Sequence, residues 1–130
     1  MRDRHLAATV TGVQIIVDTH DSNGWTVLTV AGDLDVVGGP DLRQHVMTAT
    51  SEGKSNLILD LMGVDFIDSF GLGVLVGALK RARLANGDLR LVITEPRIRR
   101  VLELCDLDRV FVVSKSVSDA ISQTKDRNRP

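Results

Sequence analysis

Residues 64–75 read VDFIDSFGLGVL, and this stretch joins the end of an apolar run to the start of a helix. Asp68 is of a residue type that caps helices, which places Ser69 at the first helical position. The first turn of a helix leaves backbone N–H groups unsatisfied, so it tolerates an anion. A serine at this point can be reached by another protein's active site, and phosphorylation changes the charge where a partner binds. The pattern therefore predicts a regulatory switch at Ser69.

Apolar patterns on both sides of this stretch predict the strands and helices of one α/β domain. Strands are predicted at residues 13–17, 25–30, 56–61, 89–93 and 110–113. Asn23-Gly24 between the first two strands is a strong hairpin signal. A loop is predicted from Gly32 to Gly39, followed by a helix that begins at Pro40. Further helices are predicted to begin at Ser69, at Pro96 and after Ser116.

The order of these elements predicts the architecture. The order β-β-α-β-α-β-α-β-α indicates a mixed, mostly parallel sheet of about five strands with about four helices. The domain is predicted to span residues 13–122. We expect residues 1–12 to form a flexible N-terminal lead and residues 123–130 to form a flexible C-terminal tail.

The helical segments carry apolar faces that predict which side chains are buried. The predicted faces are Leu42, Val46, Met47 and Ala49, then Leu72, Leu75, Val76, Leu79 and Ala82, then Ile98, Val101, Leu102 and Cys105. Cys105 is the only cysteine, and we expect it to be a buried structural thiol. Gly71, Gly73 and Gly77 each lower helix stability by about 1 kcal/mol relative to alanine. That cost indicates close approach of the helix to the sheet or to a partner.

The composition restricts the classes of partner. The 130 residues carry a formal net charge of −1, and 43% are hydrophobic and 25% charged. This balance supports a folded core and provides no excess of basic residues for nucleic acid. No apolar run is long enough to span a membrane. We therefore expect a cytoplasmic protein that needs no cofactor and contacts neither nucleic acid nor membrane.

Two enzyme classes fit the sequence less well than a regulatory switch does. A serine hydrolase needs glycine two residues before its nucleophile, and Ile67 stands there instead. Five carboxylates suggest a small magnesium-dependent phosphatase, because oxygen ligands bind Mg²⁺. They are Asp33, Asp35, Asp60, Asp65 and Asp68. The favoured interpretation is that Asp60 and Asp68 cap strand and helix ends, and that Asp33 and Asp35 form loop hydrogen bonds.

Three features together resemble a known family. They are the order of elements, the segment Gly32-Asp33-Leu34-Asp35 after the second strand, and Asp65-Phe66-Ile67-Asp68-Ser69-Phe70-Gly71-Leu72-Gly73-Val74-Leu75 before the long helix. This combination resembles the STAS-domain anti-sigma factor antagonists of bacteria. The resemblance covers nearly the whole chain and implies a single STAS-like domain.

The resemblance implies a regulatory protein without catalysis of its own. The unphosphorylated form is expected to bind an anti-sigma factor that is also a serine kinase, and so to release a sigma factor in a stress response. The kinase phosphorylates Ser69, which breaks the complex. A metal-dependent serine phosphatase then restores the binding form. The free protein is expected to be a monomer.

The resemblance also implies which residues form the site. The expected surroundings of the phosphorylated serine are Asp33, Asp35, Asp65 and Asp68, with Asp35 the stronger candidate for a hydrogen bond to the hydroxyl. The expected partner-binding residues are Asp35, Ser69, Phe70, Gly71, Leu72 and Gly73.

Phe70 departs from the family pattern. Many members carry a second serine or threonine directly after the phosphorylated serine, and Phe70 stands at that position. Its ring is either an anchor that faces a partner or a side chain that folds back onto its own domain. An alternative function therefore stays open, in which the chain is an interaction module of another partner-switching pathway that does not act on a sigma factor.

Overall fold

A computed structural model describes residues 15–123 of the protein. The predicted N-terminal lead lies outside the described residues, and so does the predicted C-terminal tail apart from Gln123. The predicted start of the domain at residues 13 and 14 lies outside them as well. None of the helices in residues 15–123 combines the length and the apolar composition that a membrane span requires.

In the part of the chain that the structure describes, five strands form one sheet, and their sequence order is also their spatial order. They are β1 (Ile15–Ser22), β2 (Trp25–Leu34), β3 (Asn56–Ile67), β4 (Asp88–Val92) and β5 (Val112–Ser114). β1 pairs with β2 in antiparallel fashion, and every later pair is parallel. The predicted mixed, mostly parallel sheet is confirmed.

Four α-helices connect and follow these strands within residues 15–123. They are α1 (Gly39–Ser51), α2 (Ser69–Leu84), α3 (Pro96–Leu104) and α4 (Val117–Ser122), with a 3₁₀ turn at Leu107–Arg109. α1 and α3 each begin with a proline in the first turn, as predicted. The hydroxyl of Ser116 accepts a hydrogen bond from the N–H of Asp119 at 3.0 Å, so this serine caps α4. The predicted order of elements is confirmed.

The hairpin forms where the sequence predicts it. Asn23 and Gly24 both have positive φ, at 51° and 84°, which suits a tight two-residue turn between twisted strands. Ser22 pairs with Trp25 across that turn. The hairpin therefore sets the register of the only antiparallel pair among the described strands.

β2 is longer than predicted, and the prediction of a loop from Gly32 is wrong for its first part. The strand continues to Leu34, which pairs with Ile67 of β3. Two register shifts interrupt the β2–β3 ladder, and at the first of them the N–H of Met62 donates to Asp60 Oδ1 at 3.1 Å. Asp60 therefore lies inside β3 at a bulge and does not cap a strand end as predicted.

The sheet is covered on both faces. One face packs against α1, α2 and α3 through Leu28, Val30, Leu57, Leu59, Leu61, Leu89, Leu91 and Ile93. The other face carries a smaller cluster, with Trp25, Val27, Ile58 and Val92 packed against Ala120 of α4. Alternate side chains of β2, β3 and β4 therefore enter different clusters, as expected for central strands.

Several predicted burials need correction. Met47 is 36% exposed, because the buried side of α1 consists of Leu42, Val46 and Ala49. Cys105 is exposed, because α3 ends at Leu104 and Cys105 follows its last turn. In α2 the residues Val74 and Ala78 are buried in addition to the predicted stripe, and Val76 is only partly buried. The reason is that α2 packs against α1 as well as against the sheet.

Arg90 is a fully buried arginine that the sequence pattern did not identify. Its Nη1 donates to the carbonyl oxygens of Ala120 and Gln123, each at 2.6 Å. The guanidinium also lies 4.5 Å from the centre of the Trp25 ring, and its Nε is 3.8 Å from Asp88 Oδ2. These contacts attach α4 to the sheet.

Candidate functional site

Ser69 is the first residue of α2, and its side chain is exposed. Asp68 precedes it in an extended conformation and caps the helix, since Asp68 Oδ1 accepts from the N–H of Gly71 at 3.0 Å. Within residues 15–123, the Ser69 hydroxyl takes part in no hydrogen bond. The first turn of the helix is therefore capped without help from the serine, whose oxygen stays accessible.

Backbone contacts hold this turn against the end of β2. The N–H of Asp68 donates to the carbonyl oxygen of Leu34 at 3.3 Å. Gly71 lies so close to the same carbonyl that a Cβ there would be 2.1 Å from the Leu34 oxygen. Leu72 is buried at 8% exposure. Of the predicted partner-binding residues, Gly71 and Leu72 thus position the turn, while Ser69 and Gly73 are exposed.

Asp35 organises the loop between β2 and α1. Its Oδ1 accepts from the N–H groups of Val37 at 3.0 Å and Gly38 at 2.9 Å. The predicted loop hydrogen bonds of Asp35 are therefore present. The expected hydrogen bond between the Ser69 hydroxyl and the Asp35 carboxylate is absent among the described residues, where Asp35 Oδ1 accepts from loop N–H groups instead.

The two remaining carboxylates of the predicted site lie near the ends of the paired strands β2 and β3. Asp33 is partly buried in β2, where it pairs with Phe66 of β3, and Asp65 is exposed just before that phenylalanine. The prediction that Asp33 forms loop hydrogen bonds is wrong, because its carboxylate accepts none among the described residues and Asp33 itself lies within β2. Within the same part of the chain, no three His, Cys, Asp or Glu side chains are grouped as metal ligands.

Exposed apolar side chains lie at the ends of β2 and β3. Val36 and Val37 in the loop after β2 are 66% and 59% exposed, and Phe66 at the end of β3 is 49% exposed. The sequence patterns do not identify these three residues as part of the site. A signal for them existed, because two adjacent valines between Asp35 and Gly38 are unusual in a loop rich in turn residues.

Phe70 folds back onto its own domain. Its ring packs over Gly39 at the start of α1, where a Cβ would lie 2.8 Å from Phe70 Cε2. The Arg43 guanidinium lies 6.0 Å from the ring centre. The ring is partly buried and packs against the main core cluster. Phe70 also lines a surface groove between α1 and α2.

Comparisons with known proteins point to one family. The STAS domain family matches residues 14–120. The anti-sigma-B factor antagonist of Bacillus subtilis is 29% identical over 102 residues, which is 78% of this chain and 93% of that protein. A Thermotoga neapolitana protein, whose name also contains the words anti-sigma factor antagonist, is 35% identical over 77 residues, which is 59% of this chain and 68% of that protein.

A solved structure agrees with these relatives. The crystal structure of an anti-sigma factor antagonist from Mycobacterium paratuberculosis superposes with a TM-score of 0.76 at 29% sequence identity. The match covers 83% of this chain and 92% of that one. Fold and sequence therefore lead to the same family.

Proposed function

Since this chain belongs to the STAS domain family, we propose that it is an anti-sigma factor antagonist whose binding is switched by phosphorylation of Ser69. The observation that carries this proposal is the exposed Ser69 side chain at the start of α2. Because Asp68 already caps the helix, the serine is free to be modified without loss of a structural hydrogen bond.

The fold should tolerate the phosphate. Phosphorylation adds about −1.5 to −2 charges at neutral pH, and an anion at a helix N-terminus gains about 0.3–1 kcal/mol. Repulsion opposes this gain, because Asp68 is adjacent and a like-charge pair about 6 Å apart costs about 1–3 kcal/mol at an effective dielectric of 20 to 60. The two effects largely offset each other, so the domain should remain folded.

A bound partner should respond much more strongly. Val36, Val37 and Phe66 supply exposed apolar surface near the same end of the sheet. A partner that covers this surface would also cover Ser69, and a dianion there would lose its water. Desolvation and like-charge contact at an interface cost several kcal/mol, and every 1.4 kcal/mol is about tenfold in affinity. Phosphorylation should therefore release the partner while the domain stays intact.

The partners follow from the proposed function. The unphosphorylated protein would bind an anti-sigma factor that is also a serine kinase, and a metal-dependent serine phosphatase would remove the phosphate. Both would act on a cytoplasmic protein that is a monomer when free. The chain itself would contribute no catalytic group and no cofactor.

Two measurements test the proposal. The protein is incubated with ATP and a candidate anti-sigma factor kinase, and the modified residue is located by mass spectrometry. We expect a single phosphate on Ser69, none on Ser69→Ala, and unchanged labelling of Ser118→Ala, a control at an exposed serine of α4. Phosphate on another residue would contradict the assignment of the switch.

The second measurement is a pull-down with unphosphorylated protein, repeated with Ser69→Ala and Ser69→Asp. Wild type and Ser69→Ala should capture an ATP-binding regulator, and Ser69→Asp should capture much less. Capture of the same partner by folded Ser69→Asp and wild type in equal amounts would contradict the proposal. Capture of a partner unrelated to any sigma factor would indicate another partner-switching pathway.

A further inference from the structure

A groove runs along the surface between α1 and α2. We call it the α1–α2 groove, and its volume is about 580 Å³, within the range of sites that bind small molecules. Its walls include Val46, Phe70, Val74, Ala78 and Leu84. Ser69 stands at one end and Leu84, which is 86% exposed, at the other. The groove thus follows the whole length of α2.

The floor of the groove is open because two of its residues lack side chains. Gly73 and Gly77 line it, and a Cβ added at either would meet no atom of residues 15–123 within 4 Å. Glycine lowers helix stability relative to alanine, and neither position needs glycine for packing inside the domain. Gly71 differs from them, because the nearby Leu34 carbonyl leaves no room for a side chain at that position.

The rim of the groove is basic. Arg43, Lys80 and Arg81 line it and are exposed, and none of them forms an ion pair within residues 15–123. No carboxylate is among the lining residues that the structure describes. Apolar walls under a positive rim complement a molecule that has an aliphatic chain and an anionic head.

We propose that the α1–α2 groove binds a free single-chain anionic amphiphile of the fatty-acid class. The chain would lie over Gly73 and Gly77 against Phe70 and Val74, and its head group would pair with the basic rim. A single molecule fits this surface better than a lipid bilayer does, because a concave groove cannot contact a flat membrane along its floor. A formal net charge of −1 also gives no general attraction to an anionic membrane.

The first test uses the intact protein and needs neither kinase nor partner, so its result is independent of the proposed function. Octanoate, decanoate and dodecanoate are titrated below their micelle concentrations, with decylamine and decanol as head-group controls. We expect affinity to rise about two- to fourfold per methylene. Decanoate should bind at least about tenfold more tightly than decylamine. NMR shifts should appear at the Gly73 and Gly77 amides and be absent at the turn residues Gly24 and Gly53.

Variants then locate the site. Gly77→Leu fills the open floor and should weaken decanoate binding at least about tenfold. The pair Lys80→Glu and Arg81→Glu should weaken it about tenfold or more, by loss of the counter-charge. Arg83→Glu is the matched control on the same helix, since Arg83 is exposed and does not line the groove. It should change affinity by less than about twofold.

The proposal is overturned by equal binding of decylamine and decanoate, by shifts that map away from the groove, or by binding that survives Gly77→Leu in a folded protein. Binding only to vesicles of anionic phospholipid would overturn it as well, because it would show association with a surface. Protection of the groove by a protein partner, without any binding of decanoate, would assign it to that partner.

Discussion

The three glycines of α2 show how differently the two sides of one helix are constrained. Gly71 faces the sheet, and any side chain there would collide with the Leu34 carbonyl. Gly73 and Gly77 face outward, and a Cβ at either would meet no described atom within 4 Å. The same residue type therefore serves packing at one position and leaves an open surface at the others. The inward side of α2 is determined by the fold, and the outward side is available for binding.

Two arginines show the same contrast between a buried and an exposed position. Replacing the buried one should give the largest loss of stability. Arg90→Ala should lower the free energy of unfolding by about 3–5 kcal/mol, because it opens a cavity and leaves the carbonyls of Ala120 and Gln123 without their donor. Urea denaturation measures the change. Arg97→Ala is the control, because its side chain is exposed and its ion pair with Glu95 is on the surface. That variant should stay within about 0.5 kcal/mol of wild type.

Gly71→Ala should give the next largest loss of stability. A Cβ would lie 2.1 Å from a backbone oxygen, so the strand or the helix must move, and overpacking of this kind costs about 1–3 kcal/mol. Thermal and urea unfolding should both report the change. Unaltered stability would show that the contact between α2 and β2 is looser than described.

Gly73→Ala and Gly77→Ala test the outward side of α2. We expect them to raise stability, whereas Gly71→Ala should lower it. Each should raise the free energy of unfolding by up to about 1 kcal/mol, because alanine is the better helix former and there is space for its methyl group. Urea denaturation of each single variant checks the sign. A loss of stability at either position would mean that these glycines serve internal packing after all.

Ser69→Asp should have the smallest effect on stability. The new carboxylate gains from the helix N-terminus and is repelled by Asp68, so the free energy of unfolding should change by less than about 1 kcal/mol. Circular dichroism during urea denaturation would detect a larger change. Unfolding of this variant would show that position 69 belongs to the structural side of the helix.

Much of the fold follows from local signals in the sequence. Asn23-Gly24 specifies the hairpin, Pro40 and Pro96 mark helix starts, and Asp68 caps α2, because each acts through its own backbone conformation or nearest N–H groups. Such effects need no knowledge of distant residues. The position of Ser69 at the start of α2 followed from the same local argument.

The features that could not be predicted from the sequence depend on contacts between residues that are far apart in the chain. Arg90 alternates with leucines, as an exposed residue on the outer face of a strand would. It is buried because α4 packs over that face of the sheet. Gly32 and Asp33 favour a loop locally, yet pairing with β3 extends the strand through them. The hydrogen bonds of Asp35 to its own loop could be predicted, while the direction of the Phe70 ring depended on how α1 packs.

The most direct test of the account is to measure partner affinity and stability on the same phosphorylated sample. Protein carrying one phosphate on Ser69 is compared with unmodified protein for binding to its anti-sigma factor and for unfolding in urea. We predict at least about a hundredfold loss of affinity, with a change in the free energy of unfolding below about 1 kcal/mol. Undiminished binding, or affinity and stability that fall together, would contradict a switch that acts at the surface of a preserved fold.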